Sequence, residues 1–145
     1  VLQTLSKAWG MAGLRLGLAF ASAPVAALFA RVKYPYNINC LAQAAVAERL
    51  SFDIAGQVAQ LRAEREAIAI ALAACPAIER VYPSEANFVL VRTPAPDRLY
   101  DALIAAGVIV RNRSHIPGCE GCLRITVGRP DENARMLETV KNFTL

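Results

Sequence analysis

Several residue types are scarce in this sequence, and each shortage excludes something. Aromatics make up 7% of the 145 residues, charged residues 19%, and there is a single histidine, His115. The basic residues are nearly all arginine, because the only lysines are Lys7, Lys33 and Lys141. The arginines are scattered from Arg15 to Arg135 without a dense block, so the net charge of +4 does not build the basic, aromatic-interleaved stripe of a nucleic-acid surface. Four cysteines, at 40, 75, 119 and 122, are too few and too unevenly spaced for a secreted disulfide framework, and a reducing cytoplasm is the expected setting. Cys119 and Cys122 form a CxxC, but without a second pair of ligands it makes no zinc site; packing is expected for Cys122 and no metal is expected. The longest apolar run, residues 16–35, is interrupted by Gly17, Ser22, Pro24, Arg31 and Lys33, short of the roughly 20 continuous residues that a membrane span needs.

Apolar residues are plentiful at 55%, which supports a core and argues against disorder. The length suits one domain or a large piece of a bigger one. The chain opens on Val1 with no methionine and no polar lead-in, and reads as starting inside an element.

Residues 1–4 have the composition of the end of a buried strand, followed by a turn-rich connection over 6–13 punctuated by Gly10 and Gly13. Residues 14–21 return to an apolar run of strand length. Ser22 and Pro24 open a short helix reaching about Val32, which Pro35 and Asn37 break. An alanine-rich stretch runs from Asn39 to Leu50, and Ser51 or Asp53 can cap a helix extending to Ala74, with Ile54, Val58, Leu61, Arg65, Ile68 and Leu72 near helical spacing. Beyond Pro76, residues 80–82 and 87–92 read as strands. Residues 97–106 form an amphipathic helix closed by Gly107, 108–110 and 123–127 are β-branched runs, and 130–143 make a final helix. The β-α-β-β-α order gives an α/β layer. The expected organisation is residues 1–51 as part of a larger domain, 52–77 as a linking helix and 78–145 as a small α/β domain.

The residues with chemical potential start at Thr4, Ser6 and Lys7, with Arg15 eight positions after the lysine and glycines at 10, 13 and 17. A lysine on a glycine-containing turn after a strand can sit in a partly desolvated pocket, where its amine becomes a nucleophile toward a carbonyl. Thr4 and Ser6 add hydroxyls, and Arg15 a forked cation suited to phosphate. Further along, the runs 108–111 and 123–127 can bring Arg111 and Arg124 onto one anion; since strands alternate faces, Arg113 and Arg92 are the other candidates for the inward positions. Asn87 either lines a site or starts its strand by bonding the backbone. Trp9 is expected to pack under the lysine turn, and His115 to face solvent.

The segment Thr4-Leu5-Ser6-Lys7-Ala8-Trp9-Gly10-Met11-Ala12-Gly13-Leu14-Arg15-Leu16-Gly17 resembles the lysine segment of fold-type I pyridoxal-phosphate aminotransferases. Four later segments, Lys33-Tyr34-Pro35-Tyr36-Asn37-Ile38-Asn39, Ala86-Asn87-Phe88, Val110-Arg111-Asn112-Arg113 and Gly121-Cys122-Leu123-Arg124-Ile125-Thr126-Val127-Gly128, resemble the histidinol-phosphate branch of that family, in order and over essentially the whole chain. The resemblance implies an α/β fold made of the end of a large domain, a linking helix and a small C-terminal domain. It implies that Lys7 carries pyridoxal phosphate through its amine and moves the substrate proton. Arg15 and Ser6 would bind the cofactor phosphate, with Thr4 beside them. Arg124, helped by Arg111, would take the anionic end of the substrate, and Asn87 would lie alongside.

The implied reaction exchanges an amino group between histidinol phosphate and 2-oxoglutarate in histidine synthesis, carried out by a cytoplasmic homodimer acting on small amino and oxo acids. Aromatic aminotransferases, threonine-phosphate decarboxylases and noncatalytic aminotransferase-like modules of transcriptional regulators share the pattern and stand as alternatives. Family members carry a long region before the lysine, with an aspartate for the pyridine nitrogen, an asparagine and a tyrosine for the phenolic oxygen, and residues donated across the dimer. The resemblance therefore implies that these 145 residues by themselves do not turn over.

Overall fold

A computed structural model describes residues 1–145, which divide into two compact units, Val1–Val58 and Ala59–Leu145.

In the first unit, strands β1 (Leu2–Thr4) and β2 (Gly17–Ala19) form an antiparallel ribbon with Thr4 opposite Gly17. Both strands are solvent-exposed along their length, not buried as the composition of residues 1–4 suggests. The ribbon has two strands, and the residues of both stay exposed on each of its faces. Helix α1 (Ala23–Val32) starts after Ser22 with Pro24 in its first turn, where the missing N–H costs nothing. Helix α2 (Cys40–Leu50) is capped by Asn39, whose side-chain oxygen accepts the Ala42 N–H at 2.8 Å. Asp53 caps the next helix in the same way, accepting from Ala55 N at 2.8 Å.

That helix, α3 (Ala55–Ala73), lies mostly in the second unit and buries Arg65, Ile68 and Leu72 at helical spacing. Four antiparallel strands follow, β3 (Arg80–Tyr82), β4 (Phe88–Arg92), β5 (Arg111–Asn112) and β6 (Cys122–Thr126), in the spatial order β3-β4-β6-β5. Helix α4 (Pro96–Ala105) sits between β4 and β5 in sequence, and α5 (Pro130–Lys141) ends the fold. One face of the sheet, with Val89, Val91, Leu123 and Ile125, shares a core with Leu72 of α3, Leu99 and Leu103 of α4, and Met136 and Val140 of α5. Each fully buried leucine here contributes about 1.5–3 kcal/mol.

The β-branched run at 108–110 is not a strand. Gly107, at φ +76°, ends α4 in a left-handed turn, and Val108 N donates back to Leu103 O at 2.8 Å. Val110 then drops into the core while Ile109 stays 81% exposed, and pairing begins only at Arg111. With α3 and β3 ahead of β4, the unit runs α-β-β-α-β-β-α, one helix and one strand more than β-α-β-β-α.

Candidate functional site

Lys7 lies on the loop that leaves β1. Its carbonyl accepts the Gly10 N–H at 2.9 Å, with Gly10 at φ +70°, and the Leu5 carbonyl accepts the Met11 N–H at 3.1 Å. Leu5 and Met11 fill the inside of this loop and are buried; Lys7 stands outside it and is exposed. The expected partial desolvation is thus not supplied by the residues of this unit, because the loop's inward positions are taken by apolar side chains. The Lys7 amine has no carboxylate within ion-pairing distance. Ser6 is half-buried, and its N–H donates to Thr4 Oγ1 at 3.1 Å.

A single 3-10 turn, Ala12–Leu14, leads to Arg15, which adopts the left-handed region at φ 53° and donates from Nη1 to the Ala12 carbonyl at 3.0 Å. The rest of that guanidinium remains available. A Cβ at Gly17 would lie 3.4 Å from the Gln3 carbonyl oxygen across the ribbon, an ordinary contact distance. Trp9 is half-buried, and its carbonyl accepts from Arg49 Nε at 3.1 Å beside a shallow cavity of about 360 Å³ lined also by Met11, Leu14 and Phe52. It packs as expected.

One free amine, two hydroxyls and one forked cation therefore share a loop of a dozen residues. The donor chemistry fits an aldehyde-bearing phosphorylated cofactor: amine for aldehyde, guanidinium and hydroxyls for phosphate.

In the second unit, the strand register aligns Tyr82, Leu90, Arg124 and Arg111 in one row across all four strands. Cross-strand partners project from the same face, and this row lies on the face opposite the core. Arg111 and Arg124 are thus direct neighbours. Like charges placed opposite one another disfavour the pairing, yet neither has a carboxylate partner, the ion pairs of the chain involving Arg65, Arg92 and Arg129. Arg111 is exposed and Arg124 half-buried. Arg124 Nε is buried and unbonded, and the guanidinium carbon lies 5.1 Å from the centroid of the Phe88 ring. Of the other candidates, Arg92 is engaged by Glu79 at 3.3 Å, and Arg113 N extends the ladder by donating to Cys122 O at 2.8 Å. The uncompensated cross-strand pair is suited to an anion.

Asn87 is half-buried at the start of β4, and its carbonyl accepts Val127 N at 3.0 Å. The loop before it is held by Arg65, which is buried on α3, donates to Ala86 O at 3.3 Å and lies 3.6 Å from a Glu85 carboxylate oxygen. In the sequence Arg65 belongs only to a helical pattern and Phe88 only to the Ala-Asn-Phe segment at a strand start. Neither is marked by a local signal, since both contacts join residues 21 or more positions apart. Cys122 is buried, with its thiol held above the usual value of 9.0 mainly by burial and then by the neighbouring Cys119. His115 is exposed.

Residues 1–140 match the family described as aminotransferase class I and II. A histidinol-phosphate aminotransferase of Parabacteroides distasonis is 46% identical over 147 aligned residues, covering all of this chain and 43% of that protein. One from Cytophaga hutchinsonii is 46% identical across 99% of this chain and 42% of its own length. The crystal structure of the histidinol-phosphate aminotransferase from Clostridium acetobutylicum superposes with a TM-score of 0.87 at 26% identity, over 97% of this chain and 44% of that one. The chain thus spans less than half the length of the relatives it matches.

Proposed function

The chain belongs to the class I and II aminotransferase family, and we propose that it forms part of an enzyme exchanging an amino group between histidinol phosphate and 2-oxoglutarate, working as a cytoplasmic homodimer. The observation that carries this reading is the neighbouring, uncompensated pair Arg111 and Arg124, a ready site for an anionic substrate end, in a chain 46% identical to proteins of that name.

Bound pyridoxal phosphate supplies the electron sink for breaking the bond to hydrogen at the amino-bearing carbon. Lys7 Nζ would hold the cofactor at its aldehyde carbon and would be the base that takes and returns the proton at the substrate carbon. Arg15 and Ser6 hold the phosphate through charge-assisted hydrogen bonds, with Thr4 bracing the Ser6 backbone. Arg124, with Arg111, receives the phosphate of one substrate or the carboxylate of the other, and Asn87 lies beside them. Residues 1–51 belong to the large domain, 52–77 link, and 78–145 form the small domain. The 145 residues alone bind the cofactor weakly and do not turn over.

Two measurements test this. The enzyme carrying this sequence is incubated with pyridoxal phosphate, reduced with borohydride, digested and mapped by mass spectrometry. Adduct is expected at Lys7 in preference to Lys33 and Lys141; equal labelling of all three refutes the role of Lys7. The enzyme carrying this sequence is then assayed for glutamate formed from 2-oxoglutarate. Histidinol phosphate is expected to be the better donor, and a clear preference for phenylalanine overturns the substrate assignment.

A further inference from the structure

Arg124 is oriented without being neutralised. Its guanidinium has no carboxylate within ion-pairing distance, its Nε is buried without a hydrogen-bond partner, and the group next to it is the Phe88 ring, 5.1 Å from the guanidinium carbon. The register explains how they meet. Arg124 pairs with Leu90 and Phe88 with Thr126, so the ring reaches Arg124 along the diagonal between β4 and β6, a distance that aromatic side chains span.

A carboxylate in the place of Phe88 would also hold the guanidinium, but it would neutralise the charge and compete with any incoming anion. An aromatic face attracts the cation through its quadrupole, keeps the positive charge available, and restricts the planar group to orientations compatible with the ring. The ring is itself anchored. Phe88 sits in β4, its carbonyl accepts the Ser84 hydroxyl at 2.6 Å, and the preceding residues are gripped by Arg65 through Ala86 O.

We infer that Phe88 is a positioning residue: its ring sets the plane of the Arg124 guanidinium and leaves its charge free for the anionic end of the substrate. This deepens the reading of Arg124 given above and rests on it. A leucine at position 88 would fill much of the space and keep the strand apolar, but it has no π face to orient the cation.

The kinetic test compares Phe88→Leu, Phe88→Tyr and Arg124→Lys in the enzyme carrying this sequence, with histidinol phosphate and 2-oxoglutarate as substrates. Phe88→Leu is expected to raise KM for both by about 2- to 30-fold, the span of a cation–π contact, with kcat changed far less. Phe88→Tyr restores KM to near the wild-type value, and Arg124→Lys raises it at least as much as Phe88→Leu. If Phe88→Leu leaves KM unchanged while Arg124→Lys raises it, the positioning role fails and the anion-binding role of Arg124 stands. If Arg124→Lys also leaves KM unchanged, both fail.

A second measurement needs no variant that must fold. In the enzyme carrying this sequence, labelled with ¹⁵N-arginine, the Arg124 Nε–H resonance is expected upfield of the other arginines through the ring current of Phe88, and to shift on titration with inorganic phosphate. An Arg124 resonance at the unperturbed arginine position overturns the proposal.

Discussion

Cys122 and Cys119 are three residues apart and joined by a turn in which Cys122 N donates to Cys119 O at 3.0 Å, yet their environments differ. Cys122 starts β6 and is buried, and Cys119 is partly open to solvent. Burial disfavours the thiolate, so the Cys122 thiol titrates above 9.0, and only the thiolate attacks an alkylating reagent. With iodoacetamide at pH 8, Cys40 and Cys119 are expected to be modified well before Cys122. The Cys122 rate should rise only as pH climbs past 9.0, and equal rates at all three would refute the assignment. The sign for stability is the same. A raised thiol contributes while it stays neutral, and that contribution is lost as pH rises through its folded value. Packing was expected of Cys122 from its place in the Gly-Cys-Leu-Arg run, and it is buried where β6 pairs with β4. The closeness of Lys7, Ser6 and Arg15 was legible because they share one short segment. The exposure of Lys7 was not, because it depends on Leu5 and Met11 turning inward.

At the scale of elements, α5 is held by a clip that residue type alone does not announce. Asn133 is buried; its oxygen accepts Gly128 N at 2.8 Å, and its amide donates to Gly128 O at 3.0 Å and to Glu64 Oε2 on α3 at 2.8 Å. Glu132 adds a bond from Arg129 N at 2.9 Å and lies so near Gly128 that a Cβ there would come within 2.7 Å of its carboxylate. Asn133→Ala removes three partly buried hydrogen bonds, so a loss of about 1–3 kcal/mol is expected in urea unfolding. A midpoint within error of wild type would show that the clip is idle. The helices were legible from Pro24, Asn39, Asp53, Gly107 and Pro130, whose effects act within one turn. Strand β5 was misplaced because Val108 and Val110 have strand composition but are carried into a turn and the core by Gly107 and α4. Only two residues, Arg111 and Asn112, reach β6 in register.

The two units differ in how much they bury within this chain. Residues 59–145 hold a continuous core drawn from three helices and two strands, whereas in residues 1–58 the buried apolar side chains are Leu5, Met11 and Ala42, with Phe20, Leu28, Phe29 and Val32 more than half exposed. Local opening is governed by such burial. Amide hydrogen exchange on the 145-residue chain is therefore expected to be slowest in β4 and β6 and faster by about 100-fold or more in α1 and β1; equal protection would refute the difference. No helix is long and apolar enough to cross a membrane. The family, the helix boundaries and the lysine segment were determined by the sequence alone, because motifs, caps and prolines act over a few neighbouring residues. The pairing of Arg111 with Arg124, the ring of Phe88 beside that guanidinium and the burial of Arg65 were decided only by the tertiary structure. Strand register is set by contacts between distant parts of the chain, and a shift of one residue would turn the strand side chains of Phe88, Arg111 and Arg124 to the other face.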